Sequence, residues 1–199
     1  MHLSIDCIEH IERLFALHGH RAYAGEAVTQ TEHALQCASL AEDEGANLHE
    51  ITAALLHDIG HLVAHEHGLL DGSPTQSGIN DAHEQLAPML LAGWMPPEVT
   101  GPIALHVQAK RYLVSADPGY LHHLSADSVR SLHLQGGPLS TAECEAFLQG
   151  PFSVSALNLR RRDDRAKTLG KSTPTLDTFL SRIERAYPRR SAQASVLRD

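Results

Sequence analysis

The chain has 199 residues, 42% of them hydrophobic and 20% charged, a size at which one well-covered core can form. Its 16 Lys and Arg stand against 24 Asp and Glu, a net charge of −8 with neutral histidine, which argues against a surface that wraps nucleic acid or an anionic membrane and leaves any anion to be caught locally. Three distant cysteines, Cys7, Cys37 and Cys144, argue against a disulfide framework or a thiolate metal site, no apolar run approaches the roughly 20 residues that span a bilayer, and the acid- and histidine-bearing start does not resemble a signal peptide, so a cytoplasmic protein is expected.

Apolar residues recur at helical spacing almost throughout, and no long apolar-polar alternation suggests a sheet, so the predicted class is all-α. A short helix over 5–18 comes first. Thr29-Gln-Thr-Glu32 has the capping-box form and opens a helix that runs to Gly45. A very apolar helix over 48–61 follows, with Ile51, Ala54, Leu55 and Ile59 requiring cover on most of its circumference. Residues 68–81 concentrate Gly, Pro, Ser, Asn and Asp and predict a long loop of the kind that carries function. Further helices are predicted over 82–92, 97–113, 118–134, 140–148, 155–169 and 175–187, and the polar end from residue 188 is expected to fray.

The composition also holds 15 histidines beside one Trp, four Tyr and four Phe. The densest chemical signal is His57-Asp58-Ile-Gly-His61, at the end of the most apolar helix. Neighbouring His and Asp point about 100° apart on a helix, so they serve one small volume only when something, usually a metal ion, lies between them. Taken alone, such a pair is more simply a C-terminal acid beside satisfied histidines. The pair is not alone: His33, His83 and His106 fall in three other predicted helices and Asp163 in a fourth, and histidine is a mediocre helix former. Four His and two Asp without Cys form a hard-to-borderline donor set suited to iron, manganese or zinc. One metal would be saturated by six such donors, whereas two metals bridged by a carboxylate keep positions open.

This order resembles the metal-binding pattern of the HD-domain superfamily in its two-metal form. It is most similar to one branch, the mixed-valence diiron oxygenases that cleave the carbon–phosphorus bond of 1-hydroxy-2-aminoethylphosphonates, the PhnZ-like and TmpB-like enzymes. The stretches that carry the resemblance are Tyr23-Ala-Gly-Glu26, Glu32-His-Ala-Leu-Gln-Cys37, Leu56-His-Asp-Ile-Gly-His61, His106-Val-Gln-Ala-Lys-Arg-Tyr112, Leu134-Gln-Gly-Gly-Pro138 and Arg160-Arg-Arg-Asp-Asp-Arg-Ala-Lys167. Relatives often carry an aromatic where this chain has Arg162, a departure that alters either the local packing or the pocket charge.

The resemblance implies a single-domain HD-fold helical bundle over residues 1–188, its metal-binding core at about 25–170, with a disordered tail at 189–199. It implies an Fe(II)/Fe(III) pair with O2 as co-substrate: His33, His57, Asp58 and Asp163 hold one iron, Asp58, His83 and His106 the other, and Asp58 bridges. Asp164 competes with Asp163 for the last place. Lys110, one turn after His106, and Arg160, three residues before Asp163, converge on the same centre as the local cations a phosphonate needs. The resemblance adds Ser128 as a phosphonate contact and His61 as a hydrogen-bonding neighbour. It makes Tyr23 a displaceable occupant of an open iron position and Glu26 the group near which a substrate amine binds, so that binding frees the position for dioxygen. The products would be phosphate with glycine or glycine betaine, in a monomer or weak homo-oligomer that binds a small organophosphonate.

Each of these residues also has a plainer reading. Lys110 alone is a solvated lysine, Ser128 an ordinary helical serine, and Tyr23 with Glu26 a packed ring beside a first-turn acid. Arg111, Arg161, Arg165 and the scattered histidines, His49 among them, are expected to be solvated. The enzymatic rival is an HD-type two-metal phosphohydrolase acting on a phosphate ester or nucleotide, which has no use for a displaceable Tyr. A non-enzymatic sensor would have an incomplete ligand set.

Overall fold

The computed structural model describes residues 4–23, 25–69, 74–80 and 82–189. The expected tail lies, apart from Arg189, outside these residues. The fold is all-α: α1 (Ile8–His18), α2 (Gln30–Asp43), α3 (Leu48–Leu56), α4 (Ile59–Glu66), α5 (His83–Leu91), α6 (Pro97–Ala116), α7 (Ala126–Leu134), α8 (Thr141–Gln149), α9 (Ser153–Arg165) and α10 (Leu176–Ala186), with a 3-10 turn at Tyr120–His123 before α7. The described residues contain one isolated antiparallel bridge, Ala22 to Thr29, and no strand.

Local chemistry accounts for the helix starts. Thr29 caps α2 and Glu32 returns the bond, the reciprocal box expected from the sequence; Ser140 and Glu143 repeat it at α8. Asn47, Ser125 and Thr175 cap α3, α7 and α10 through their side chains.

One boundary differs in a way that matters. The helix expected over 48–61 is two helices, because the chain turns at His57-Asp58. Asp58 stands at the N-cap of α4 with φ −103° and ψ 11°, yet its carboxylate makes no capping bond. It turns instead toward histidines, so the broken hydrophobic period serves the side chain and not the helix. The segment expected as a helix over 118–134 is likewise divided, and Ser125 becomes the cap of its second part.

At the centre α2 packs on α3, α6 on α9, and α3 against α6. Their shared core joins Cys37, Ala38 and Ala41 to Ala54, Leu55 and Leu56, and these to Val99, Ile103 and Leu159. Small residues set the spacing. A Cβ at Gly101 would lie 2.2 Å from the Phe152 ring, so this glycine lets the ring approach α6 closely where α6 meets α9. The four central helices with α5 carry His33, His57, His83, His106, Lys110, Arg160 and Asp163; Asp58 and His61 belong to the start of α4, Ser128 to α7, and Tyr23 and Glu26 to the turn before α2.

Candidate metal centre and anion pocket

His33 on α2, His57 at the end of α3, Asp58 at the turn, His83 opening α5, His106 in α6 and Asp163 in α9 meet in one buried volume. The imidazoles of His33 and His57 approach Nε2 to Nε2 at 3.3 Å, and those of His83 and His106 at 3.2 Å. Asp58 divides its oxygens between the two pairs. Its Oδ2 is 3.3 Å from His57 Nε2 and 3.7 Å from His33 Nε2, while its Oδ1 is 3.4 Å from His83 Nε2 and 3.8 Å from His106 Nε2. Asp163 Oδ1 completes the first group, 3.5 Å from His33 Nε2.

The donor set fits a metal. Three ring Nδ1 atoms face backbone carbonyls: His33 to Ala166 at 2.9 Å, His57 to Ala54 at 2.9 Å and His106 to Ile103 at 2.7 Å. A carbonyl only accepts, so Nδ1 carries the hydrogen in each ring and Nε2 presents a lone pair to the centre. The lone pairs of His33 and His57, facing at 3.3 Å, repel unless a cation lies between them, and both imidazole pairs have the spacing of donors at about 2.1 Å from a common ion, which are themselves about 3.0–3.5 Å apart. Asp58 Oδ1 is buried without a hydrogen-bond partner, as a carboxylate oxygen kept for a cation would be. Burial pulls His33 down to about 4 and His106 to about 3, so both rings are neutral ligands at neutral pH. Burial opposes the charge on Asp58 and Asp163 too, but His57 beside the first and Arg160 beside the second hold both carboxyls well below their usual range. Cys37, one turn after His33, brings Sγ to 3.6 Å from the same Nε2; burial raises its thiol well above the ordinary value.

Tyr23 lies over this group. Its ring stacks on His33 with centroids 3.7 Å apart and 11° between planes, and its hydroxyl donates to Asp163 Oδ1 at 3.4 Å. A tight turn holds it, with Tyr23 N–H donating to Val28 at 2.9 Å and Glu26 N–H to the Tyr23 carbonyl at 2.7 Å. Gly25, at φ +78°, makes that turn possible. Burial, reinforced by Asp163 and Asp58, pushes the phenol well above its ordinary value.

A small cavity opens beside the cluster, walled by Tyr23, Asp58, His61 and His106 on one side and by Lys110, Ser128 and Arg160 on the other. Part of the predicted loop, Pro74, Thr75, Ile79 and Asn80, also lines it. Lys110 is 2% exposed and donates to Ser131 Oγ at 2.6 Å; burial, with help from Arg160, pulls its ammonium down to about 7. Arg160 pairs with Asp163 at 2.8 Å and with Asp164, and reaches Ser128 Oγ at 3.4 Å. Burial opposes its charge, yet the two carboxylates hold the guanidinium firmly protonated.

Comparison with known proteins adds a third line. The chain is 44% identical over 179 residues, 88% of its length and 87% of the relative's, to hydroxymethylphosphonate dioxygenase of Gimesia maris. It is 35% identical over 178 residues, 89% of each chain, to the glycine-betaine-forming [1-hydroxy-2-(trimethylamino)ethyl]phosphonate dioxygenase of Leisingera caerulea. The chain belongs to the phosphonate dioxygenase family. An uncharacterized mimivirus protein is 36% identical over 176 residues, 88% of this chain and 79% of its own, and no family model matches.

Seen against this family, the structure brings all twelve residues selected from the sequence to the cluster or its cavity. It also separates the two aspartates: Asp163 faces His33, whereas Asp164 turns to Arg160 and the Tyr120 hydroxyl. Arg162 points elsewhere, donating to Glu44 at 2.7 Å, so the departure at this position is one of packing and not of pocket charge. Two expectations are corrected. Arg111 is not simply solvated, because its Nε donates to the Gly137 carbonyl at 2.7 Å and so holds the Gly136-Gly137 turn. His49 receives or gives a bond with the Tyr187 hydroxyl at 2.7 Å. Sequence reasoning missed Ser131, Tyr120 and Lys167. The signal for Lys167 was its place four residues after Asp163, one helical turn from a selected residue.

Proposed function

We propose that the protein is a diiron oxygenase that cleaves the carbon–phosphorus bond of a short 1-hydroxyalkylphosphonate. His33, His57, Asp58 and Asp163 hold one iron, and Asp58, His83 and His106 the other, as a mixed-valence Fe(II)/Fe(III) pair. The observation that carries the reading is the division of the Asp58 oxygens between two imidazole pairs, beside a pocket with Lys110, Arg160 and Ser128. Candidate substrates are hydroxymethylphosphonate and 1-hydroxy-2-(amino or trimethylamino)ethylphosphonate, the latter giving glycine or glycine betaine. The reaction balances without an external reductant: a 1-hydroxyphosphonate and O2 give a carboxylic acid and phosphate, with the C1–H and C–P bonds broken and the carbon oxidised.

The irons, when bound, would supply the site at which dioxygen binds and is activated, dioxygen being the oxidant that takes the electrons of the C1–H and C–P bonds. The protein's own groups bind and orient. Lys110 and Arg160 neutralise the phosphonate in a chain of net charge −8, and the hydroxyl of Ser128, at the N-terminal turn of α7, gives it a further donor. His61, with its ring centroid 4.1 Å from that of His83, contacts the substrate at the cavity mouth. Tyr23 covers the His33 side until substrate near Glu26 displaces it, which couples binding to opening. The domain comprises residues 1–188 and works as a cytoplasmic monomer or weak homo-oligomer without nucleic acid. Among the described residues no helix is long and apolar enough to cross a membrane.

The test measures O2 uptake and phosphate release by iron-loaded protein given each candidate substrate. One phosphate per O2, and none under anaerobiosis, is expected. Release of phosphate from esters or nucleotides without oxygen would overturn the proposal and favour the two-metal hydrolase.

A further inference from the structure

Lys167 follows the end of α9, and its backbone is clamped on both sides. The preceding carbonyl, Ala166, accepts from His33 Nδ1 at 2.9 Å. Thr168 next to it donates N–H to Gln36 Oε1 at 3.0 Å and accepts from Gln36 Nε2 at 2.9 Å. The segment is therefore tied to α2 at one metal-centre histidine and one buried glutamine, and only the lysine side chain is left to move.

Its ammonium sits between two kinds of partner. Nζ lies 3.3 Å from Ser128 Oγ and 3.5 Å from Ser125 Oγ, at the N-terminal turn of α7, and 3.7 Å from Glu26 Oε1. It also lies 5.7 Å from the centroid of the Tyr23 ring. Glu26 Oε1 is buried with no hydrogen-bond partner, so its contact with Lys167 is an ion pair at long range and not a formed bond. The other two cations are held more firmly. Arg160 is engaged by Asp163 and Asp164, which already offset its charge, and Lys110 is seated on Ser131. A phosphonate dianion entering at Ser128 thus finds one compensated guanidinium and one seated ammonium, and needs a further charge.

Building on the phosphonate reading above, we infer that Lys167 is the third cation of this pocket and exchanges partners, pairing with Glu26 in the free protein and with the substrate phosphonate on binding. Because Glu26 and Tyr23 are its two neighbours on the other side, the exchange loosens the segment that covers the His33 side. Phosphonate binding by itself then begins the opening, whether or not the substrate carries an amine.

The test uses the full iron-loaded chain, with inorganic phosphate as the binding probe and hydroxymethylphosphonate for kinetics. Lys167→Met is expected to weaken phosphate binding about 10–100-fold, the loss of one charge-assisted bond, and to raise KM similarly with kcat changed far less. Lys167→Arg restores part of the affinity. Glu26→Gln, by releasing Lys167, tightens phosphate several-fold, and this gain vanishes in the Lys167→Met background. A KM and phosphate affinity within twofold of the parent in Lys167→Met, or a Glu26→Gln gain that persists without Lys167, would overturn the inference. Should Lys167→Met not fold, Glu26→Gln alone decides, since unchanged or weaker phosphate binding refutes the exchange. A parent protein that binds phosphate with these dependences but turns over no hydroxyphosphonate retains the anion site and removes the substrate reading instead.

Discussion

Gly60, two residues after Asp58, lies against the start of α5. A Cβ built there would be 2.8 Å from the His83 carbonyl oxygen and 3.3 Å from both the Cα and Cβ of His83. The obstacle is backbone, so α4 and α5 must separate by about half an ångström to restore ordinary contact. Two terms nearly cancel in stability. Overpacking costs about 1–3 kcal/mol, whereas Ala replaces Gly in a helix with a gain of about 1 kcal/mol. Gly60→Ala is expected to fold, with Tm lower by about 0–8 °C. The metal centre is less tolerant. Ligand distances must hold within about 0.2 Å, and the displaced residue is His83, which meets Asp58 Oδ1 at 3.4 Å and His106 at 3.2 Å. Affinity at that half of the centre falls about 10–100-fold, the usual effect of a disturbed ligand orientation. The half built on His33, His57 and Asp163 keeps its geometry. On the proposed diiron reading, iron counted after desalting should drop from two per chain toward one, with Gly93→Ala, where the added carbon meets nothing within 4 Å, as the control. Two irons retained with the parent's affinity in a folded Gly60→Ala protein would refute the view that this close approach places His83.

Three other perturbations probe the same centre. Arg160→Met leaves the buried Asp163 and the half-buried Asp164 without their guanidinium, so the iron-free protein should lose about 3–5 kcal/mol in chemical denaturation, and a loss below 1 kcal/mol would contradict the pairing. Asp58→Asn removes the charge shared by both imidazole pairs, and metal analysis should find neither iron bound tightly; two tightly held irons would show that Asp58 does not bridge. Acid should destabilise the iron-free protein. His33 and His106 are lowered to about 4 and about 3, whereas in the unfolded chain they titrate near 6.5, so the unfolded state binds more protons and the stabilisation present above about pH 6.5 is lost as pH falls. By pH 5 that is about 2 kcal/mol for each ring, partly offset by His57, whose value is raised and whose contribution runs the other way. A Tm that is flat or rises between pH 8 and pH 5 would exclude neutral buried rings at those two positions.

Much of this was legible in the chain because the relevant physics is local. The all-α class follows from periodicity, and the starts of α2 and α8 from capping boxes whose partners are three residues apart. The candidate metal-centre histidines were visible because each falls inside a separate predicted helix rather than on a loop, an arrangement that costs helix propensity and so points to a task. The break at His57-Asp58 was not visible. Apolar residues continue in helical register through Ile59 and Leu62, and Asp58 forgoes its capping bond where its two oxygens meet His57 and His33 on one side and His83 and His106 on the other.

The sequence by itself determined the element order, the apolar faces and the chemical inventory: four selected histidines, two aspartates and a few cations in an acidic chain. Tertiary structure alone decided how these are shared. Which of two adjacent aspartates faces His33 depends on the rotation of α9 against α2: Arg160 pairs with both, but Asp163 meets His33 while Asp164 meets the Tyr120 hydroxyl. Arg162 was a possible pocket charge in the sequence, and the same rotation buries it against Glu44. Lys167 closed the Arg160–Lys167 stretch without a role in the sequence; its role arises where the end of α9, the turn at Glu26 and the first turn of α7 come within reach of one ammonium. Such assignments depend on distances of a few ångströms between helices far apart in the chain, and charge interactions of this range are set by packing and not by local sequence.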